Sequence, residues 1–309
     1  MDIVRGWTPF STNTRPRHER VNARALRQSV STVVPLNQQS VTNQFLRGEA
    51  GLKLAITMRS LISLCLVLAI CGASVPGSFA QKATPVLIEL FTSEGCDTCP
   101  PADKYLQRLL QEQPISGVEI IAMAEHVDYW NRLGWTDPFS SALFSQRQKY
   151  YASFFKHDSV YTPQMIVNGT RELRGKDGVR PIEEAAKDPL GNIKVSAKAS
   201  TENTVSVILK ITKLPAGSSG DRATVTVAIT EDDLASNVLR GENSGRKLNH
   251  MAVVRSFKNI GEASGDGTTL TADLTLEKDW KRDDLSVVAF VQQAQSRRIL
   301  AAVRIRLKG

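Results

Sequence analysis

The sequence predicts an α/β domain with one helical insertion, followed by an all-β, antiparallel, sandwich-like domain. Three observations carry that prediction. A strand-length apolar run, residues 86–91, leads through a polar turn into a Cys-x-x-Cys pair at the head of an amphipathic stretch. Strand and helix patterns then alternate as far as residue 188. Beyond it, seven short runs of strand character are separated by Gly, Asn, Asp and Ser, as in an antiparallel sandwich.

The chain begins without such order. Residues 1–57 are polar and Arg-rich with no sustained apolar period, and read as an over-extended gene start or a disordered arm. Met58 opens a better beginning. A short basic region precedes the apolar core 61–73, and Ser78-Phe-Ala80 offers small residues for cleavage, the layout of a secretory signal peptide over residues 58–80. The core is too short to span a membrane. A lipoprotein anchored through Cys71 is the lesser alternative, because Ile70 stands where a small residue is wanted.

Cleavage before Gln81 changes the charge argument. Removing the nine Lys/Arg and three Asp/Glu of residues 1–80 from totals of 39 and 31 leaves 30 basic and 28 acidic groups. A net charge of +8 becomes +2, and no case for nucleic acid survives. Cys65 and Cys71 leave as well, so Cys96 and Cys99 stand alone in a periplasmic or secreted protein.

The elements follow in order. Residues 86–91 form the first strand, with one carboxylate, Glu89, inside it. Leu106, Leu109 and Leu110 share one face of the first helix, and Pro100 and Pro101 fit only its first turn. Residues 118–124 give a second strand. The segment 126–139 is dense in aromatics, and a helical pattern covers 142–155. Thr162-Pro163 precedes a hairpin, 164–167 with 171–174, turned by Asn168-Gly169. A short helix over 179–186 closes the domain 81–188. The strand-like runs 193–198, 204–209, 223–229, 250–257, 268–276, 285–292 and 300–307 make up the second, 189–309.

The cysteines are the chemistry. A pair separated by two residues closes almost no loop, so a structural disulfide here gains little, whereas a helix N-terminus stabilises a thiolate. Cys96, nearer the helix end, is the candidate nucleophile, and Cys99 the resolving thiol. Glu89 is the candidate proton-transfer group, since a carboxylate within an apolar strand is costly and its pKa rises; an outward or salt-bridged Glu89 is the alternative. His126, Asp128, Trp130 and Trp135 form a candidate rim beside the cysteines, or an insertion held by its own aromatics. His157 and His250 are assigned to structure.

The stretch Glu89-Leu-Phe-Thr-Ser-Glu-Gly-Cys96-Asp-Thr-Cys99-Pro-Pro-Ala-Asp103 resembles the signature of a bacterial secreted family, domain of unknown function 1223. The His126-Val-Asp-Tyr-Trp130, Leu133-Gly-Trp135 and Tyr161-Thr-Pro-Gln164 blocks match that family too. More broadly, the cysteine motif and Thr162-Pro163 resemble those of thioredoxin-like oxidoreductases. That resemblance implies a thioredoxin-like fold for the first domain, a cis proline facing the cysteines, substrate contacts from Thr162 and Pro163, and a buried acid before the motif exchanging a proton with the resolving cysteine. Glu89 stands seven residues before Cys96, one more than that spacing.

The expected function is an exported thiol–disulfide oxidoreductase acting on a protein thiol or disulfide, with no cofactor and no resident metal. Two alternatives stay open: copper delivery through Cys96, Cys99 and His126, and a non-catalytic binding module.

Overall fold

Strand β1 (Thr84–Thr92) is buried on both faces from Val86 onward, and the fold is organised by what covers and flanks it. In a computed structural model, which describes residues 83–215, 220–263 and 267–307, β1 runs parallel to β2 (Val118–His126), with Leu87 opposite Ile121. Both read as near-continuous apolar runs, as strands covered on both faces must. On its other edge β1 pairs antiparallel with β3 (Gln164–Val167), which turns through Asn168-Gly169 into β4 (Arg171–Leu173). Both turn residues have positive φ, 44° and 72°, the geometry that selects Asn-Gly. A Cβ at Gly169 would lie 1.9 Å from the Arg297 carbonyl oxygen, so this turn also needs glycine for close approach. The expected leader, Met58, Cys65, Cys71 and the cleavage before Gln81 lie outside the described residues.

The free edge of β2 is taken by β10 (Val253–Ala263), parallel, with Val253 opposite Ala124. From there the sheet continues antiparallel through β7 (Ala223–Glu231), β12 (Leu285–Gln293) and β13 (Ile299–Arg306). The result is one mixed sheet of eight strands in the order β13-β12-β7-β10-β2-β1-β3-β4. Three further strands, β5 (Asn192–Thr201), β6 (Thr204–Thr212) and β11 (Thr268–Thr275), form a second sheet ordered β11-β6-β5. A short hairpin, β8 (Leu234–Asn237) with β9 (Lys247–His250), stands apart from both.

Side-chain alternation distributes the layers. Helix α1 (Pro100–Glu112) buries Ala102, Leu106 and Leu109 against Val86, Ile88, Leu90 and Ile120, with Ile182 and Ala185 of the short helix α3 (Arg180–Ala185) beside them. In β7 and β12, Val225, Val227, Ile229, Val287 and Ala289 pack against Val207, Leu209 and Ile211 of the second sheet. Helix α2 (Ala142–Phe155) packs against the alternate residues. Its Phe144 and Tyr151 join Leu87, Phe91 and Met123 with Phe290 and Ala302 in one cluster. Its start is set by Ser141, whose hydroxyl accepts the Leu143 N–H at 3.2 Å.

This architecture corrects the expected fold class. A thioredoxin-like domain with a helical insertion, followed by a separate antiparallel sandwich-like domain, is not what forms. The described residues hold thirteen strands and three α-helices, and eight strands from both sides of residue 188 share one sheet. The physical reason is the edge of β2. Period-two alternation assigns a strand's faces but not its neighbours, and β2 is as buried as β1, so its edge needs a partner. That partner comes from residue 253. Helix α2 is accordingly no appendage: it covers strands from both halves of the chain.

Candidate functional site

The chain leaves β1 at Thr92, turns through Ser93 to Gly95, and enters α1 with Cys99 as N-cap and Pro100 as first helical residue. Both cysteines are free thiols with no solvent exposure. The Cys96 sulfur lies 3.2 Å from the Thr98 hydroxyl and 3.8 Å from the Thr162 carbonyl oxygen. The Thr162–Pro163 peptide bond is cis. The Trp130 indole N–H donates to the Thr162 hydroxyl at 2.7 Å and fixes that loop over the sulfurs.

The two thiols are driven apart in acidity. A hydrogen bond from Cys99, aided by Thr162 and Thr98 and opposed by burial, draws the Cys96 thiol below its ordinary pKa. Burial pushes the Cys99 thiol well up, and the hydrogen bond to Cys96, the Cys96 charge and Asp103 add to it. A helix N-terminus beneath Cys96 acts in the same direction as the first shift.

Around the motif lies a buried polar cage. Glu94, fully enclosed, accepts from the Trp135 indole N–H at 2.8 Å, from the Ser236 hydroxyl and from His250 Nε2, 3.0 Å away. Its own N–H donates to Asp137 Oδ2 at 2.8 Å, and Asp137 also sits 2.7 Å from His126 Nδ1. Burial works against charge in both members of that pair, yet attraction to Asp137 raises the His126 pKa, and His126 in turn holds Asp137 below the usual carboxylate range. The His126 and His250 rings meet edge to face at 4.9 Å. Asn243, also enclosed, donates its side-chain amide to the carbonyls of Glu94 at 2.8 Å and Cys96 at 2.9 Å.

The sequence-derived candidates divide among three places. Cys96, Cys99, Thr162, Pro163 and Trp130 come together at the sulfurs. His126 and Trp135 stand one layer behind, acting through Asp137 and Glu94. Asp128 points away: its carboxylate accepts from Ser145 and anchors α2. Glu89 is buried in an ion pair with Arg147 at 2.6 Å and accepts from the Tyr151 hydroxyl at 2.6 Å, while Arg147 also reaches Gln292. Beside it, burial and the Glu89 charge push the Glu125 carboxyl well up, against the pull of Arg147, whose Nε lies 3.5 Å from Glu125 Oε1. Glu89 therefore has partners of its own, as the salt-bridged alternative had it. Among the described residues no three His, Cys, Asp or Glu side chains are grouped so as to hold a metal ion.

Sequence reasoning missed Asp103, Glu94, Asp137 and Asn243, and it assigned His250 to structure without its partner Glu94. Asp103 is one helical turn beyond Cys99, and burial raises its carboxyl pKa against the pull of His250 and His126. That i, i+4 spacing was a usable signal, and Glu94 stood inside the quoted motif. Asn243 and His250 lie 147 or more residues from the atoms they hold, and no local pattern announces them.

The solved structures place the fold among known ones. Protein AGR_C_4864 of Agrobacterium tumefaciens, known from an X-ray crystal structure, is 28% identical, with 73% of this chain and 96% of that chain covered and a TM-score of 0.56. HBP35 of Porphyromonas gingivalis is 15% identical over 73% of this chain and 76% of its own, with a TM-score of 0.54, a likeness of fold alone. No curated protein matches. No helix among the described residues is long and apolar enough to cross a membrane. Residues 87–292, carrying the cysteine motif, the cage and the sheet that unites them, match a family described as Protein of unknown function (DUF1223), and the chain belongs to that family.

Proposed function

We propose that this protein is an exported thiol–disulfide oxidoreductase whose Cys96–Cys99 pair exchanges with a cysteine-bearing polypeptide. The observation that carries the reading is the opposed acidity of the two thiols, Cys96 lowered and Cys99 raised, beneath a cis-proline loop whose Thr162 carbonyl faces Cys96. At this site, though not in its fold, the protein resembles thioredoxin-like enzymes.

The steps follow from that asymmetry. The Cys96 thiolate attacks one sulfur of a substrate disulfide; a new S–S bond forms, and the other substrate sulfur leaves as a thiolate that takes up a proton. Cys99 then gives up its proton and attacks Cys96, releasing the second substrate thiol. The substrate disulfide is reduced by two electrons, and the protein's dithiol is oxidised by two. Run backwards, the same steps oxidise a substrate dithiol. A raised Cys99 pKa keeps the resolving thiol protonated until the mixed disulfide has removed the Cys96 charge that helps raise it. Asp103, one turn away with its own pKa raised, is the nearest titratable neighbour along the helix to take that proton.

Trapping tests the reading. Cys99→Ser, expressed with its leader in an exporting cell, accumulates higher-mass adducts that collapse on reduction, because the attacker remains and the releasing thiol is gone. Cys96→Ser gives few or none. Two variants that both stay free of adducts, with no effect on any thiol reaction, would sink the proposal.

A further inference from the structure

The two sheets do not close against each other along their whole length, and the sequence of β5 shows why. By alternation its inward positions are Ile193, Val195, Ala197 and Ala199, opposite Ile211, Leu209, Val207 and Val205 of β6. Side-chain volume thus shrinks along β5 toward residue 199. At that end a cavity of about 680 Å³ remains, where the two alanines and Val205 meet Leu285, Ile305 and Leu307 of the large sheet and its end. Its size falls in the range of small-molecule sites, roughly 300–1,000 Å³. No residue of the cysteine site lines it.

The polar part of the lining is cationic. It holds Lys278, Arg282 and Arg306 against one carboxylate, Glu202. Arg306 is already answered by Asp284 and Asp232, 3.6 and 3.7 Å from its Nη2. Arg282 is not. Half-buried, it is fixed by two neutral acceptors, the Glu277 carbonyl at 2.9 Å and Asn203 Oδ1 at 3.1 Å, and makes no ion pair among the described residues. Those bonds orient the guanidinium, leave its charge unmatched and leave it donors to spare. Lys278 likewise has no ion-pair partner among the described residues. Trp280, 7% exposed, forms part of the same wall, and its indole N–H has no hydrogen-bond partner among them either, which is unusual for a buried tryptophan.

We infer that this cavity binds a free, single-headed anionic amphiphile of the fatty-acid class, with its carboxylate at Arg282 and Lys278 and its tail among Ala197, Ala199, Ile305 and Leu307. The inference goes beyond the thiol-exchange reading and does not depend on it. A neutral apolar molecule would leave the Arg282 charge unmatched. A small inorganic anion would leave the apolar wall wet. A molecule with one anionic head and one apolar body answers both halves of the lining.

Calorimetric titration tests it. Sodium dodecanoate, kept below its micelle-forming concentration, binds the wild-type protein saturably. Acetate, a head without a tail, does not bind, and dodecyltrimethylammonium, a similar tail with the opposite charge, binds about tenfold more weakly. Arg282→Gln weakens dodecanoate binding about tenfold, and Lys278→Gln, at an exposed position that leaves the fold intact, about threefold. Ala199→Phe, also at an exposed strand position, fills the cavity and weakens it about tenfold. No saturable binding to the wild type, or equal affinity for the two head groups, overturns the inference. Binding untouched by Ala199→Phe puts the amphiphile elsewhere and overturns it as well. A wild-type dimer that Ala199→Phe splits would seat a second copy in the cavity. Retention on anionic phospholipid vesicles without binding of dissolved dodecanoate would assign the cations to a membrane surface. Either result removes the free amphiphile.

Discussion

Replacing Glu94 with alanine takes the acceptor from three donors at once: the Trp135 indole, the Ser236 hydroxyl and His250 Nε2. His250 is 4% exposed, so its orphaned group bears the full desolvation cost of about 1–3 kcal/mol. Trp135 and Ser236 are half-buried, and water replaces part of what they lose, leaving about 0.5–1 kcal/mol each. Losing a buried carboxylate returns some of its own desolvation penalty. The net expectation is a loss of about 3 kcal/mol. With a urea slope of about 3 kcal/mol per molar for a chain of this size, the midpoint falls by about 1 M. Glu94→Gln, which keeps one acceptor oxygen, loses about 1 kcal/mol. Equilibrium unfolding in urea followed by tryptophan fluorescence checks both. A Glu94→Ala midpoint within 0.2 M of wild type would refute the cage as a source of stability.

Two other substitutions probe the same layers. Asp137→Asn should cost most in mild acid. The Asp137 pKa is depressed, so its contribution is present above the unfolded value of about 4 and disappears as pH falls through the folded one. The His126 pKa is raised, so its contribution is complete below about 6.5 and is lost as pH rises through the folded value. The stability deficit of Asp137→Asn is therefore larger at pH 5 than at pH 9, and a deficit independent of pH in urea titrations would dissolve the ion pair. Arg147→Leu strands the Glu89 charge in the interior and costs about 3–5 kcal/mol, while Glu89→Gln in the same chain recovers more than half of it; calorimetric unfolding that shows no recovery would mean that Arg147 acts by packing alone.

What was legible in the sequence was local. The apolar run after Pro85, the leucine face of α1, the helix over residues 142–155 and the Asn168-Gly169 turn were all readable because each is decided by residues within one turn or one pleat. The meeting of Cys96 with Thr162 came from the resemblance, not from spacing. What was hidden was long-range. Leu234–Asn237 and Lys247–His250 are short and polar, with no alternation to mark them as strands, yet they carry Ser236 and His250 to Glu94. Glu89 looked anomalous in its strand for a sound reason, the cost of burying a carboxylate, but its partner Arg147 lies 58 residues on, in a helix of weak amphipathic pattern. The pairing of Val253 with Ala124 decides the architecture and leaves no trace in either segment.

Asn243 follows Cys96 by 147 residues, and that separation has a temporal meaning. At synthesis rates of about 5–20 residues per second, roughly 7–30 s pass between the emergence of the thiol and that of the side chain that ties down its loop. A nascent chain in that interval carries both cysteines without the side chain that holds the Glu94 and Cys96 carbonyls. A chain that stops short of residue 243 never gains that restraint. The loop that carries Cys96 is thus completed late, by a residue from the far half of the chain.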